Sequence, residues 1–178
     1  MTLFAWWSRR LALGFVAAAS WFGCVSKPTM HLNHAEISGA QLAVFPPAIG
    51  ILMTVVVDVY NPNSYDVAIR AMRGQVVMGY NHWLPVDFRP PGNGVWLASD
   101  RTTSVRVPVS VPLELGLALL RESAQSPFIP YRLTGRADVT ASSTFRVESD
   151  DYAVDEQGTI SRDQIAAIIP NSIAITPM

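Results

Sequence analysis

The stretch Ile51-Leu-Met-Thr-Val-Val-Val-Asp-Val-Tyr60 constrains the fold more than any other part of this chain. Its β-branched residues disfavour a helix, and its apolar side chains recur at every second position. Ile51, Met53, Val55, Val57 and Val59 fall on one face, while Thr54, Asp58 and Tyr60 share the other. A strand with this pattern meets a core on one side and is partly wet on the other. The same alternation returns at 102–111, where Thr103, Val105, Val107, Val109 and Val111 point one way. It returns again at 131–141, with Tyr131, Leu133, Gly135, Ala137 and Val139 inward and Arg132, Thr134, Arg136, Asp138 and Thr140 toward water.

Further strands are expected at 67–80, at 83–88 and at 144–154. Gly74 marks a bulge or a close backbone approach within the first of these. Pro85 and Pro108 cannot donate to a ladder, so their strands belong at sheet edges. One segment breaks the β pattern. In Pro112-Leu-Glu-Leu-Gly-Leu-Ala-Leu-Leu-Arg-Glu-Ser123, Leu113, Leu117 and Leu120, with Leu115 and Leu119, recur at helical spacing. Pro112 suits the first helical position. The segment predicts one short α-helix at about 112–123 that covers an end of the core and buries Leu117 and Leu120. Residues 163–169 fit a short turn of helix. Short strands, one helix and frequent Pro and Gly turns predict an all-β antiparallel sandwich.

Asn61-Pro62-Asn63 stops the first strand with turn chemistry, since Pro62 fixes φ and asparagine side chains bond nearby backbone groups. A β-branched strand ending in Tyr60-Asn61-Pro62-Asn63 resembles the LEA14-like, or late embryogenesis abundant group 2 (WHy, water stress and hypersensitive response), domain. The later run is similar too: Thr102-Thr-Ser-Val-Arg-Val-Pro108, the helix after Pro112, and Tyr131-Arg-Leu-Thr-Gly135. The resemblance covers about residues 32–156. It implies an immunoglobulin-like or fibronectin-III-like sandwich with a short helix, no catalysis, and a role in stress protection by binding surfaces.

The chain opens with Ser8-Arg9-Arg10, then an apolar run from Leu11, then Trp21-Phe22-Gly23-Cys24. A positive start, a short apolar stretch and a break make an export signal. Gly23-Cys24 resembles the lipobox of bacterial lipoproteins, which implies lipid attached to Cys24. Trp21 and Phe22 depart from that motif, so an ordinary signal peptide or an uncleaved anchor is the alternative. Cys24 is the single cysteine, so there is no internal disulfide framework. Capping its thiol with lipid would suit an oxidising compartment. Val25, rather than Asp, follows the cysteine; the family rule then implies an outer-membrane lipoprotein facing the periplasm of a Gram-negative bacterium. The expected organisation is a signal peptide at 1–23, a lipid-anchored tether at 24–31, the sandwich at 32–160 and a C-terminal tail at 161–178.

Charged residues make up 15% of the chain and the net charge is -1. That balance carries no basic footprint for nucleic acid. No nucleophile elbow, phosphate loop or His-Glu zinc motif occurs. His31 and His34 lack a surrounding ligand cluster. The acidic residues between Glu148 and Glu156 lack calcium-loop spacing. No cofactor, metal or catalytic residue is therefore expected. Trp83, Arg89 and Trp96, with Tyr80 and Phe88 nearby, form the candidate partner surface, because aromatic and arginine side chains dominate binding hot spots. Two functions fit: a non-catalytic envelope lipoprotein protecting membranes or proteins in desiccation, or an adaptor docking onto another envelope protein.

Overall fold

The computed structural model describes residues 26–44, 47–141 and 147–169, with side chains described outside 42–48 and 141–151. The export signal, Cys24 and the chain from 170 onward lie outside the described residues. The elements run β1 (Thr29–Val44), β2 (Pro47–Asn61), β3 (Val67–Met78), β4 (His82–Phe88), β5 (Val95–Leu97), β6 (Arg101–Pro112), α1 (Leu113–Glu122), β7 (Phe128–Ala141), β8 (Val147–Ser161) and α2 (Arg162–Ile168). One sheet has the order β1-β2-β6. The other has the order β4-β3-β7-β8, with β5 also pairing β3. Every pairing is antiparallel.

The period-two pattern places the core between the two sheets. Ile51, Met53, Val55, Val57 and Val59 of β2 are buried, as are Val105, Val107, Val109 and Val111 of β6. They face Val67, Ile69, Met72, Val76 and Met78 of β3 and Leu133, Ala137 and Val139 of β7 within one apolar cluster. β6 and β4 are edge strands, as Pro108 and Pro85 require. Thr140 departs from its expected exposure to water: it is 5% exposed. The alternation of β7 itself is unbroken, since Ala137 and Val139 are both buried; Thr140 lies on the outer face opposite the buried Ala68, which is also opposite Trp96 of β5.

Gly74 marks a close approach, and the irregularity of β3 lies elsewhere, between Ile69 and Ala71. Gly74 sits opposite Gly135, and a Cβ on Gly74 would lie 2.6 Å from the Gly135 Cα and 2.1 Å from the Thr134 carbonyl oxygen. Two facing glycines let β3 and β7 draw together where any side chain would clash.

The helix begins one residue later than expected, because Pro112 is its N-cap and still pairs with Gly50 in the sheet. Its buried residues are Gly116 and Leu119. Leu113, Leu115 and Leu120 pack against the core from its margin. Leu117 is only half-buried and points away from that contact. Gly116 explains the choice of face: a Cβ there would meet the Ile51 side chain at 2.6 Å, so the helix lies close on β2 along the Gly116–Leu119 line. The last strand runs on to Ser161, beyond the expected end at Val154. It is followed by α2, where Ser161 caps the helix by accepting from the Asp163 backbone N–H. Ile165 of α2 is 1% exposed and joins the same core.

Tyr131 projects into the core beside Gly158, whose missing side chain leaves space for the phenol ring. The Tyr131 hydroxyl is buried and has no hydrogen-bond partner among the described residues. Burial raises its pKa to about 12.

Two stability measurements follow from this packing. Leu119→Ala should cost roughly 2–5 kcal/mol in denaturant unfolding, and Leu117→Ala much less. For Tyr131, the folded pKa lies above the unfolded value of about 10. The unfolded chain therefore loses this proton first as pH rises, and stability falls between about pH 10 and pH 12, by roughly 2–3 kcal/mol at the upper end. Tyr131→Phe should remove that part of the alkaline loss and raise stability at neutral pH by about 1–3 kcal/mol, because an unpaired buried hydroxyl disappears.

Candidate binding surface

Directly opposed residues of antiparallel strands share a face. The register therefore sets Trp83 of β4, Val77 of β3, Arg132 of β7 and Gln157 of β8 in one row across the outer face of the larger sheet. Pro130 and Thr159, also opposite each other, extend this surface by one row. With Gly79 and Gly158 these residues line an open groove of about 670 Å³.

Trp83 is 59% exposed, and its indole N–H donates to the Asn81 side-chain oxygen at 2.9 Å. The Arg132 guanidinium donates to both carboxylate oxygens of Asp155, each at 2.6 Å. This pairing holds the Asp155 carboxyl below the usual carboxylate range and raises Arg132. The fork is a fixed, charge-neutral unit next to an indole, an amide and a hydroxyl. Such a groove offers one apolar plate and several directional polar groups, which suits binding.

A smaller pocket of about 80 Å³ adjoins it at Gly79 and Pro130 and is bordered by Tyr80, Leu119, Glu122 and Phe128. Tyr80 is 91% exposed and Phe128 54%. His82 Nε2 lies 3.0 Å from both Glu122 carboxylate oxygens and ties the β3–β4 hairpin to α1. Trp83, Tyr80 and Phe128 thus gather at one pole of the sandwich.

The residues singled out in the sequence separate in space. Trp96 sits on β5 opposite Ala68, nine positions along β3 from Val77, which is roughly 30 Å of strand. The Arg70 guanidinium lies 6.0 Å from the Trp96 ring. Arg89 bonds Asp87 at 3.2 Å, and Phe88 packs against the core. Trp83 keeps Tyr80 as a neighbour and gains Phe128, which no sequence motif marked. Only the cross-strand register brings Phe128 there. His31 and His34 lie on β1, with His34 bonded to Asn33. Among the described residues no group of three or more His, Cys, Asp or Glu is placed to hold a metal ion.

Asn61, Pro62 and Asn63 form a clasp at the opposite pole. Asn61 is 0% exposed; its amide donates to the carbonyls of Tyr65, Leu97 and Ala98 at 2.8, 3.1 and 3.3 Å. Its side-chain oxygen accepts from the backbone N–H and the side-chain amide of Asn63 at 3.1 and 2.9 Å. Asn63 in turn bonds Ser26 twice: Oδ1 accepts from the Ser26 N–H at 2.8 Å and Nδ2 donates to the Ser26 carbonyl at 2.9 Å. Neither asparagine is left-handed; that conformation falls to Asp100, with φ 51°, whose N–H bonds the Asn63 carbonyl. Pro62 is exposed and supplies only the bend.

No family model and no curated protein sequence matches the chain. Its fold has counterparts among solved structures. The solution structure of AT1g01470 from Arabidopsis thaliana superposes with a TM-score of 0.52 at 19% identity, over 78% of this chain and 83% of that one. The solution structure of a candidate late embryogenesis abundant (LEA) protein, At2g46140.1, gives 0.50 at 20% identity, over 85% and 79%. The β-sandwich with its short helices thus shares its fold with these structures, one of them described as a candidate late embryogenesis abundant protein.

Asn61→Ala should strand the buried Leu97 carbonyl, the partly buried carbonyls of Tyr65 and Ala98, and the Asn63 side chain. The expected loss is roughly 2–4 kcal/mol in denaturant unfolding, against less than about 1 kcal/mol for Pro62→Ala.

Proposed function

We propose that this protein is a non-catalytic, lipid-anchored binding protein of the bacterial cell envelope. In this reading a late embryogenesis abundant type 2 domain is held by acyl chains on Cys24 at the outer membrane, facing the periplasm. It protects envelope proteins or membranes during water stress by binding their exposed surfaces. The observation that supports binding most strongly is the groove around the exposed indole of Trp83. Its volume of about 670 Å³ falls in the range of small-molecule and side-chain sites. Tryptophan and arginine are the side chains that most often dominate binding energy. The LEA description of a structure with the same fold supports the protective role.

A second reading, an adaptor that docks on one envelope protein, is favoured by the neighbouring Tyr80 and Phe128. Three large aromatics at one pole extend the groove into a surface broad enough for a folded partner. The two readings differ in stoichiometry. Protection is weak and tolerant of many clients, whereas an adaptor holds one partner at a fixed ratio.

Trp83→Ala in the full-length chain tests both. The substitution removes an exposed side chain, so the unfolding midpoint should stay within about 0.5 kcal/mol of the parent. Protection of a dried client enzyme, or recovery of a crosslinked envelope partner, should fall several-fold. Undiminished activity in both assays removes the groove from the function. Turnover of any substrate by the purified protein overturns the non-catalytic reading.

A further inference from the structure

We propose that the pole carrying Pro62, Ser64 and Tyr60 is a membrane seat, which rests directly on the lipid surface that holds the acylated Cys24. The inference depends on the lipid-anchor reading above and adds to it the orientation of the domain. Its basis is the clasp. Asn63 is 5% exposed, and its two bonds to Ser26 are partly buried. The chain after Ser26 stays docked: Pro28 is buried and the Lys27 ammonium lies 5.6 Å over the Tyr152 ring. Thr29 then enters the sheet opposite Tyr60.

Only Val25 separates Cys24 from Ser26. Two residues of extended chain reach about 7 Å at most. An acylated Cys24 therefore has no slack: the lipid backbone is held within one side-chain length of the clasp, and the pole meets the headgroups.

The exposed chemistry of the pole fits that partner. Pro62 and Ser64 are small and uncharged. Tyr60 is 37% exposed, and an amphipathic ring of this kind suits the membrane interface. Arg101, opposite Asn61, offers a cation to lipid phosphates. Among the described side chains of the pole, Asp66 accepts from the Ser99 N–H and Asp100 from the Tyr60 hydroxyl. The groove lies at the other end. Val77 is ten positions along β3 from Val67, or roughly 30 Å, so Trp83, Tyr80 and Phe128 face away from the bilayer.

The test uses the full chain processed in a Gram-negative host and reconstituted into phospholipid vesicles with headgroup-quencher lipids. Acylation of Cys24 is read separately by mass spectrometry. A fluorophore on Ser64→Cys should be strongly quenched, and one on Thr159→Cys hardly at all. A flexible Gly/Ser spacer of about ten residues inserted between Val25 and Ser26, with a reach of about 17 Å, leaves the fold untouched and should erase the contrast. Asn63→Ala should weaken it. Equal quenching at both positions in acylated protein, or a contrast that survives the spacer unchanged, overturns the seat. Membrane-bound chain without lipid on Cys24, or chain recovered in the soluble fraction, overturns the anchor reading itself and the seat with it.

Discussion

The buried side chain of Asn61 is a point at which the two halves of the sandwich are fixed to each other. It ends β2 of the smaller sheet, yet its amide bonds the carbonyls of Leu97 and Ala98 at the end of β5 in the larger one. Apolar faces alone would hold two sheets together without fixing their alignment. Hydrogen bonds have direction, and inside a core an unmade bond is costly. Once Asn61 is satisfied, the turn to β3, the corner before β6 and the entry of the chain at Ser26 all follow from it.

Much of the fold was legible because one signal, period-two alternation, coincides with one physical cause, a two-faced sheet. It identified the buried faces of β2 and β6 and the prolines of the edge strands. It was less informative where the outer face of a strand is covered as well. Thr140 stays on the outer face that the period gives, but there it lies beside Ala68, which is equally buried. In α1 the leucines alone suggested Leu117. The buried line is set by Gly116, because a helix approaches a sheet most closely where it has no side chain.

The binding surface was legible only in part. Trp83 and Tyr80 are three positions apart in sequence and stay together. Trp96 looked close to Trp83 along the chain, but an intervening loop carries it to a separate strand that pairs with the far end of β3. Arg132, Gln157 and Phe128 join the site from strands distant in sequence. The turn motif was recognised as a stop signal for a strand. That its second asparagine grips the incoming chain could not be read from the sequence, since Ser26 is 37 residues away.

The outer strands carry a further consequence. β4 and β6 each present a proline, Pro85 and Pro108, on their edges. β1 and β8 lie side by side, and the Leu32 N–H is occupied by the Glu156 carboxylate at 3.3 Å. Each of these features interrupts a continuous row of free backbone donors, the template on which strands of separate molecules join. When water is withdrawn, every solute in a compartment is forced to higher concentration, and proteins with open edges begin to share sheets. A sandwich with blunted edges resists that polymerisation as it is crowded.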